Sequence, residues 1–279
     1  MPYIFYDYDI KVASSIDERC AAWALVYEAY VSKGYADPNP QELWYGIYDV
    51  LPDTTTFLAT RRPLLSAEEW QNVSHGLGGQ AIAALSMVFD SKLGFPADEL
   101  YNPELDHLRS SGRRLCEITS LANLETRPRI GVNLTKHLFK LAYITAFFLQ
   151  NATDFIITVN PRHVAFYEKY LLFERMGQER SYDKVNGAPA VLLRLDLLNA
   201  TKEVSQKHTE GLSGKFDQYQ EFMLEGAEEI QDWLGLQRHP LDWADIQEYF
   251  IEERPLLQTL KPEQRSYLEE QYMAWHKAA

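Results

Sequence analysis

Residues 154–174 read DFIITVNPRHVAFYEKYLLFE, and the fold is decided there. The apolar run Asp154–Val159 predicts a short buried strand, since β-branched and aromatic residues in such runs fill sheet interiors. Asn160 and Pro161 end it. Proline at a first helical position has the right φ and needs no donor, so a short helix is expected over Arg162–Leu171. Phe166, Tyr167 and Tyr170 project from that helix, and a further strand is expected over Phe173–Gln178.

Outward from this unit, Asn133–Asn151 predicts a helix with an apolar face through Leu134, Leu138, Leu141, Ile144 and Phe148. Arg114–Leu124, Gln80–Phe89, Thr55–Thr60 and Ala190–Leu197 read as strands, residues 2–13 as another, and 97–112 as short helix and loop. The Gly76–Gly79 cluster reads as a hairpin loop, not a phosphate cradle. Ser15 and Glu18 have capping-box spacing and open a helix over 16–33, with Cys20, Trp23, Ala24, Tyr27 and Tyr30 expected on one face. After Leu198 the chain turns acidic, with helical periodicity at 215–234, 240–252 and 262–277, punctuated by Pro240, Pro255 and Pro262. We expect a domain over 1–198 and an acidic helical C-terminal extension over 199–279. The class is α/β (α+β), a mixed, mainly antiparallel sheet flanked by helices with a helical C-terminal appendage.

The chain has 279 residues, 46% hydrophobic and 24% charged, which rules out wholesale disorder. Its 36 aromatic residues (17 Tyr, 13 Phe, 6 Trp) are enough for a sizeable core and apolar clefts. The longest apolar stretch, Leu134–Leu149, is broken by Lys136, His137 and Lys140, so no membrane span is expected. The first residues carry no basic segment or cleavage site, so no signal peptide is expected. Cys20 and Cys116 are too few for a disulfide framework or a cysteine zinc site, and buried thiols in a reducing cytoplasm are expected. The seven histidines have no paired ligand spacing, so no metal is expected. The net charge of −13 argues against nucleic-acid binding. The charge is uneven, however. Residues 101–200 hold 13 Lys and Arg against 10 Asp and Glu, and both flanks are strongly acidic. Arg127, Arg129, Lys136 and Lys140 fall in that basic stretch, a candidate docking face for an acidic partner, although scattered solvated cations would read the same way.

The element order alone leaves generic α+β folds open. The residues carry more. The motif from Asn160 through Phe166-Tyr167 to Phe173-Glu174 resembles the signature of GNAT acyltransferases, departing at Leu172, where that superfamily carries glycine. Together with GYADP at 34–38, CEITSLANL at 116–124, VNPRHVAFYEKYLLFERMG at 159–177 and YDKVNGAPAVLLRLDL at 182–197, the chain resembles long-chain N-acyl amino acid synthases of the N-acyl tyrosine synthase type. These are relatives of the acyl-homoserine-lactone synthases. The resemblance covers about 10–200.

What it implies is an amine attacking an acyl thioester carried on acyl carrier protein. Glu117 would be the base, with Thr119 and Leu121 sharing its face of the strand; a structural ion pair with Arg113 or Arg114 is the alternative. Homoserine-lactone synthases carry Arg where this chain has Ser120. Backbone amides near Leu121, Ala122 and Asn123 would hold the oxyanion. Tyr167 would protonate the leaving thiolate, and His163 would be a second base or orient the carrier arm, although packing or capping roles fit both. Asn160, Arg162, Tyr30 and Tyr35 would contact substrate. Tyr30, Phe89, Leu121 and Phe147 would line an acyl slot.

Coenzyme A donors need a glycine-rich loop whose amides grip pyrophosphate. Residues 127–133 keep one glycine, and Pro128 removes an amide. The expected donor is therefore the acyl-phosphopantetheine of acyl carrier protein, with no permanently bound cofactor, an amino-acid acceptor, a cytoplasmic location and room for peripheral membrane contact through a lipid product. A homoserine-lactone-type synthase, a small-molecule acyl-CoA transferase and a catalytically idle module binding carrier or lipid stay open beside this reading.

Overall fold

The computed structural model describes residues 7–62, 79–202, 225–253 and 259–278, together with the strand Tyr3–Ile4. The strands are β1 (Tyr3–Ile4), β2 (Tyr8–Val12), β3 (Thr55–Arg61), β4 (Ala81–Phe89), β5 (Leu115–Asn123), β6 (Asp154–Val159), β7 (Glu174–Arg175), β8 (Arg180–Tyr182) and β9 (Ala188–Asp196). They form one sheet in the order β1-β2-β3-β4-β5-β6-β9-β7, with β8 also on β9. Every pairing is antiparallel except β5–β6. The strand expected over 2–13 is two strands paired on each other, Tyr3 opposite Ile10. The strand expected over Phe173–Gln178 is only Glu174–Arg175. The chain leaves the edge at Gly177, where a Cβ would stand 2.6 Å from the Tyr101 ring.

The first helix, α1 (Ile16–Ser32), starts where the capping box places it: Ser15 accepts from Glu18 N and Glu18 accepts from Ser14 and Ser15 N. Its buried face is rotated from the expected one and runs through Arg19, Ala22, Trp23, Leu25, Val26 and Ala29, leaving Cys20 half-buried. Arg19 turns inward because three acceptors wait there: Ala13 O (2.7 Å), Thr54 O (2.8 Å) and Thr56 Oγ1 (2.6 Å). Burial pushes its guanidinium down to about 10. Alanines at 13, 22, 29, 84 and 122 let α1 lie close on β3–β5.

Between β4 and β5 lies α2 (Asp98–Ser110). The next helix, α3 (Pro128–Ile144), begins five residues earlier than expected because Pro128 opens it, and it widens into a π-turn at Thr145–Leu149. The helix after β6 is a 3-10 turn, Pro161–His163, running into α4 (Val164–Tyr170). Alternation then splits the strands between two cores. Phe155 and Ile157 point into the one under α3, and Ile156 into the one under α2 and Trp23. The described C-terminal helices are α5 (Ala227–Gln237), α6 (Trp243–Gln247), which continues as a π-turn at Glu248–Glu253, and α7 (Pro262–Ala278). Ile230 and Leu234 enter the first core, and Phe250, Leu268 and Tyr272 the second. Residues 215–224 of the helix expected at 215–234, and 76–78 of the glycine cluster, lie outside the described residues.

Candidate active site

The one parallel pair positions the site. The β5–β6 ladder runs from Leu115–Asp154 to Ile118–Ile157 and stops there, although β5 continues to Asn123. On its other edge β5 carries a bulge: the register to β4 shifts between Ala84 and Ser86, and Ser120 adopts φ +50°. The strands therefore splay over a cavity of about 260 Å³. The bulge breaks alternation, so all five residues from Glu117 to Leu121 line it, not only Glu117, Thr119 and Leu121. Ile157–Asn160, His163 and Tyr167 form the facing wall. Tyr30, Lys33, Tyr35, the loop Trp44–Gly46 with Tyr48 and Asp49, and the β8–β9 hairpin close it.

Glu117 is 2% exposed. Its Oε2 accepts from Ala97 N at 3.0 Å, and no arginine or lysine among the described residues pairs with it. Arg113 is taken by Asp154 and Asp196, and Arg114 by Asn151 O. Burial pushes the Glu117 carboxyl up to about 8, opposed by Ala97 N and Lys184. Tyr167, on α4, has no hydrogen bond at its hydroxyl among the described residues, and burial raises its phenol well above its ordinary range. Asn160 caps the 3-10 turn by accepting from Arg162 N. His163 Nε2 accepts from Arg162 Nε at 3.1 Å, and its imidazole is pushed down by burial, then by Arg162 and Lys33.

Several expected residues stay outside the cavity. Ala122 is buried under α1. Asn123 ties β5 to α3 by donating to Gly131 O (2.8 Å) and Thr135 Oγ1 (2.9 Å). Arg162 is exposed and props the site from outside, donating to the Tyr35 hydroxyl at 2.7 Å. Phe89 and Phe147 pack on the core under α3. Among the docking candidates, Arg127 is held by Glu125 (2.8 Å) and Asp7 (3.4 Å), Lys140 donates to Glu225 O (2.6 Å), and Lys136 lies over the Tyr170 ring. Arg129 is exposed. Sequence reading missed Asp49, Lys184, Tyr182 and Thr158 in the cavity wall. Thr158 was inside the deciding stretch, and its position just ahead of Asn160 was the available signal. Among the described residues no cluster could hold a metal ion.

The open, mainly antiparallel sheet with a splayed parallel pair between β5 and β6 has the GNAT acyltransferase fold. Residues 21–196 match the family model described as N-acyl amino acid synthase FeeM. The chain belongs to that family, whose chemistry is N-acyl transfer. The solved FeeM synthase from uncultured soil microbes is 23% identical over 71% of this chain and 93% of its own, with a TM-score of 0.53. The acyl-homoserine-lactone synthase LasI is 15% identical over 71% and 91%, with a TM-score of 0.44. An acyl-CoA N-acyltransferase from Pseudomonas aeruginosa is 18% identical over 67% and 97%, with a TM-score of 0.41. No curated protein sequence matches the chain. Among the described residues no helix is long and apolar enough to cross a membrane.

Proposed function

We propose that this protein moves a long-chain acyl group from the phosphopantetheine thioester of acyl carrier protein to the amine of an amino acid in the cytoplasm, with no permanently bound cofactor. The observation that carries the reading is Glu117, a buried carboxyl without a cation partner, sharing one cavity at the splay with Tyr167. The acceptor arrives as an ammonium ion and leaves as an amide nitrogen, so it loses two protons. Glu117 takes one and passes it to solvent. A carboxylate of raised proton affinity is a stronger base than an ordinary one. The amine nitrogen then bonds to the thioester carbon, the C–S bond breaks, and the second proton ends on the sulfur. Tyr167 relays that proton: the phenol, kept protonated by its raised affinity, gives its own proton to the sulfur as the C–S bond breaks and is reprotonated by the second proton that the nitrogen loses. The unpaired β6-facing edge of β5 beyond Ile118 is where backbone amides would meet the oxyanion.

The choice of carrier over coenzyme A rests on the N-terminus of α3. Glu125 already fills that anion position, accepting from Arg127 N and bridging Arg127 and Arg61. The Arg127 side chain first of all holds the Glu125 carboxyl down to about 2. The Arg127 amide and guanidinium that a pyrophosphate would need there are already committed to Glu125 and Asp7. Arg129, exposed on α3, is the docking cation this reading rests on. Each methylene buried in a fitting slot adds ~0.8 kcal/mol, which favours long chains.

The test is a chain-length series of acyl thioesters on carrier protein against the same chains on coenzyme A. Long chains on carrier should be used best, and equal use of short acyl-CoA defeats the donor assignment. A catalytically idle module is disfavoured because no described residue beyond Ala190 lines the cavity. A homoserine-lactone-type synthase is disfavoured by Ser120, which shapes the bulge where those enzymes carry arginine.

A further inference from the structure

Acyl transfer uses Glu117 and Tyr167, yet the Glu117 end of the cavity holds two more charged side chains. Asp49 sits on the 3-10 turn Ile47–Val50 and is 8% exposed. Its Oδ2 accepts from Gly46 N at 2.8 Å. Its Oδ1 is buried with no partner. A carboxylate oxygen cut off from water and left unpaired is unfavourable, and a bound cation relieves it. Lys184 comes from the turn Asp183–Val185 at the foot of the β8–β9 hairpin. Its Nζ lies 6.0 Å from the Tyr48 ring centre, and it makes no ion pair among the described residues. Its charge acts on both Asp49 and Glu117, opposing the rise that burial imposes on each. One anion and one cation, neither with an ion-pair partner among the described residues, thus share the cavity with Glu117. The rest of the wall is largely aromatic: Tyr30, Tyr35, Trp44, Tyr45, Tyr48 and Tyr182.

We propose that Asp49 and Lys184 form the subsite that selects an α-amino acid, Asp49 holding the acceptor's ammonium next to Glu117 and Lys184 holding its carboxylate. The inference rests on the amino-acid acylation reading and adds the groups that recognise the acceptor. An α-amino acid carries its two charges one carbon apart, so its ligands must lie at the same end of the cavity. Lys33 does not meet that condition, since its charged neighbour is Arg162 at the far end. Charge-assisted contacts at both groups separate an amino acid from a plain amine, which satisfies Asp49 and leaves Lys184 unpaired.

The experiment uses the full chain with a long-chain acyl carrier thioester and follows thiol release. Acceptors are the twenty L-amino acids, each beside its own α-amide. Wild type should prefer the best amino acid over its amide by about 30-fold or more. Lys184→Met, at an exposed position, should raise the KM for that amino acid by about 10-fold. The KM for the amide, which has no carboxylate for Lys184 to hold, should rise far less, so the preference collapses toward parity, while loss of the Lys184 charge beside Glu117 shifts the pH profile with both acceptors alike. Asp49→Asn keeps the Gly46 hydrogen bond and should raise KM for amino acid and amide alike. Calorimetric binding of the amino acid without donor should weaken in both variants. Unchanged acid-over-amide preference in Lys184→Met overturns the subsite while leaving the acylation reading in place. Amino acids that are not acylated by wild type, with other amines accepted instead, overturn both.

Discussion

The two ends of the cavity carry different titratable groups, two carboxyls at one and a phenol with an imidazole at the other, and are acted on by the same force. At one end burial raises the Glu117 and Asp49 carboxyls. At the other it raises the Tyr167 phenol and lowers His163 and Lys33. Desolvation favours the neutral form of every group it touches. The chemical consequences diverge. A carboxyl pushed toward neutrality becomes a better proton acceptor once ionised, whereas a phenol pushed the same way remains a proton store. Burial would thus bias Glu117 toward accepting a proton and Tyr167 toward keeping one. His163 belongs to the second end as a neutral ring whose Nε2 is occupied by Arg162, which suits orientation more than proton removal.

Removing the base breaks this contrast most severely. Glu117→Gln should lower turnover by ~10²-fold or more while still accepting from Ala97 N. It should also change stability, with a definite sign. The folded carboxyl holds its proton to about pH 8, whereas an unfolded one releases it near 4.5. Between those values the folded state binds the extra proton, so wild-type stability falls as pH rises through that window and is level above it. The span is of the order of 5 kcal/mol. Glutamine does not titrate, so melts of the two proteins should diverge from pH 5 to 8, the variant gaining. Parallel curves would remove the burial argument. In wild type, kcat/KM should climb with pH to a plateau above about 8, the value set by burial, Asp98 and Glu99 against Ala97 N and Lys184.

Removing the acid should cost less. Tyr167→Phe keeps the ring contacts with Phe139 and Phe173 and deletes only the hydroxyl. Turnover of an alkyl thioester should drop about 10- to 100-fold. An aryl thioester leaves as a weakly basic thiolate and needs no proton, so most of the loss should disappear with that donor. The same loss with both donors would assign Tyr167 to packing.

Much of the second end was legible in the sequence, and little of the first. Pro161 fixes a helix start and DFIITV fixes the strand before it, so Asn160, His163 and Tyr167 follow from local rules. Ser15 and Glu18 fix the start of α1 in the same way. The Glu117 end is assembled from positions far apart in the chain: Asp49 on one loop, Glu117 on β5, Tyr182 and Lys184 on a hairpin. No local period reports such a meeting. Ser120 shows why even β5 was misread: a left-handed serine has no composition signal, yet it turns an alternating strand into five consecutive lining residues. Arg19 shows the converse: hydrophobic periodicity put the inner face of the first helix through Cys20, Trp23 and Tyr27, and it cannot report three buried acceptors that draw a charge inward.

Each end also leans on one non-glycine residue in the left-handed region, Ser120 at φ +50° and Leu172 at φ +59°, and the second gives the smallest test. Leu172 stands just past α4, where Leu171 N and Phe173 N both reach back to Tyr167 O and so fix the helix end that carries the candidate acid. A Cβ in this conformation costs roughly 1–2 kcal/mol. Glycine removes that cost, but it frees the unfolded chain by ~0.5–1 kcal/mol and gives up the packing of a half-buried leucine. The contributions nearly cancel. Leu172→Gly should therefore shift stability by less than about 1 kcal/mol, roughly 2–4 °C in Tm, with turnover close to wild type. Leu171 is 2% exposed in the core, and Leu171→Ala provides the scale; such truncations cost about 2–5 kcal/mol. If Leu172→Gly loses as much as Leu171→Ala, the side chain and not the backbone turn holds α4 in place. The two ends would then differ in how they are anchored as well as in what they titrate.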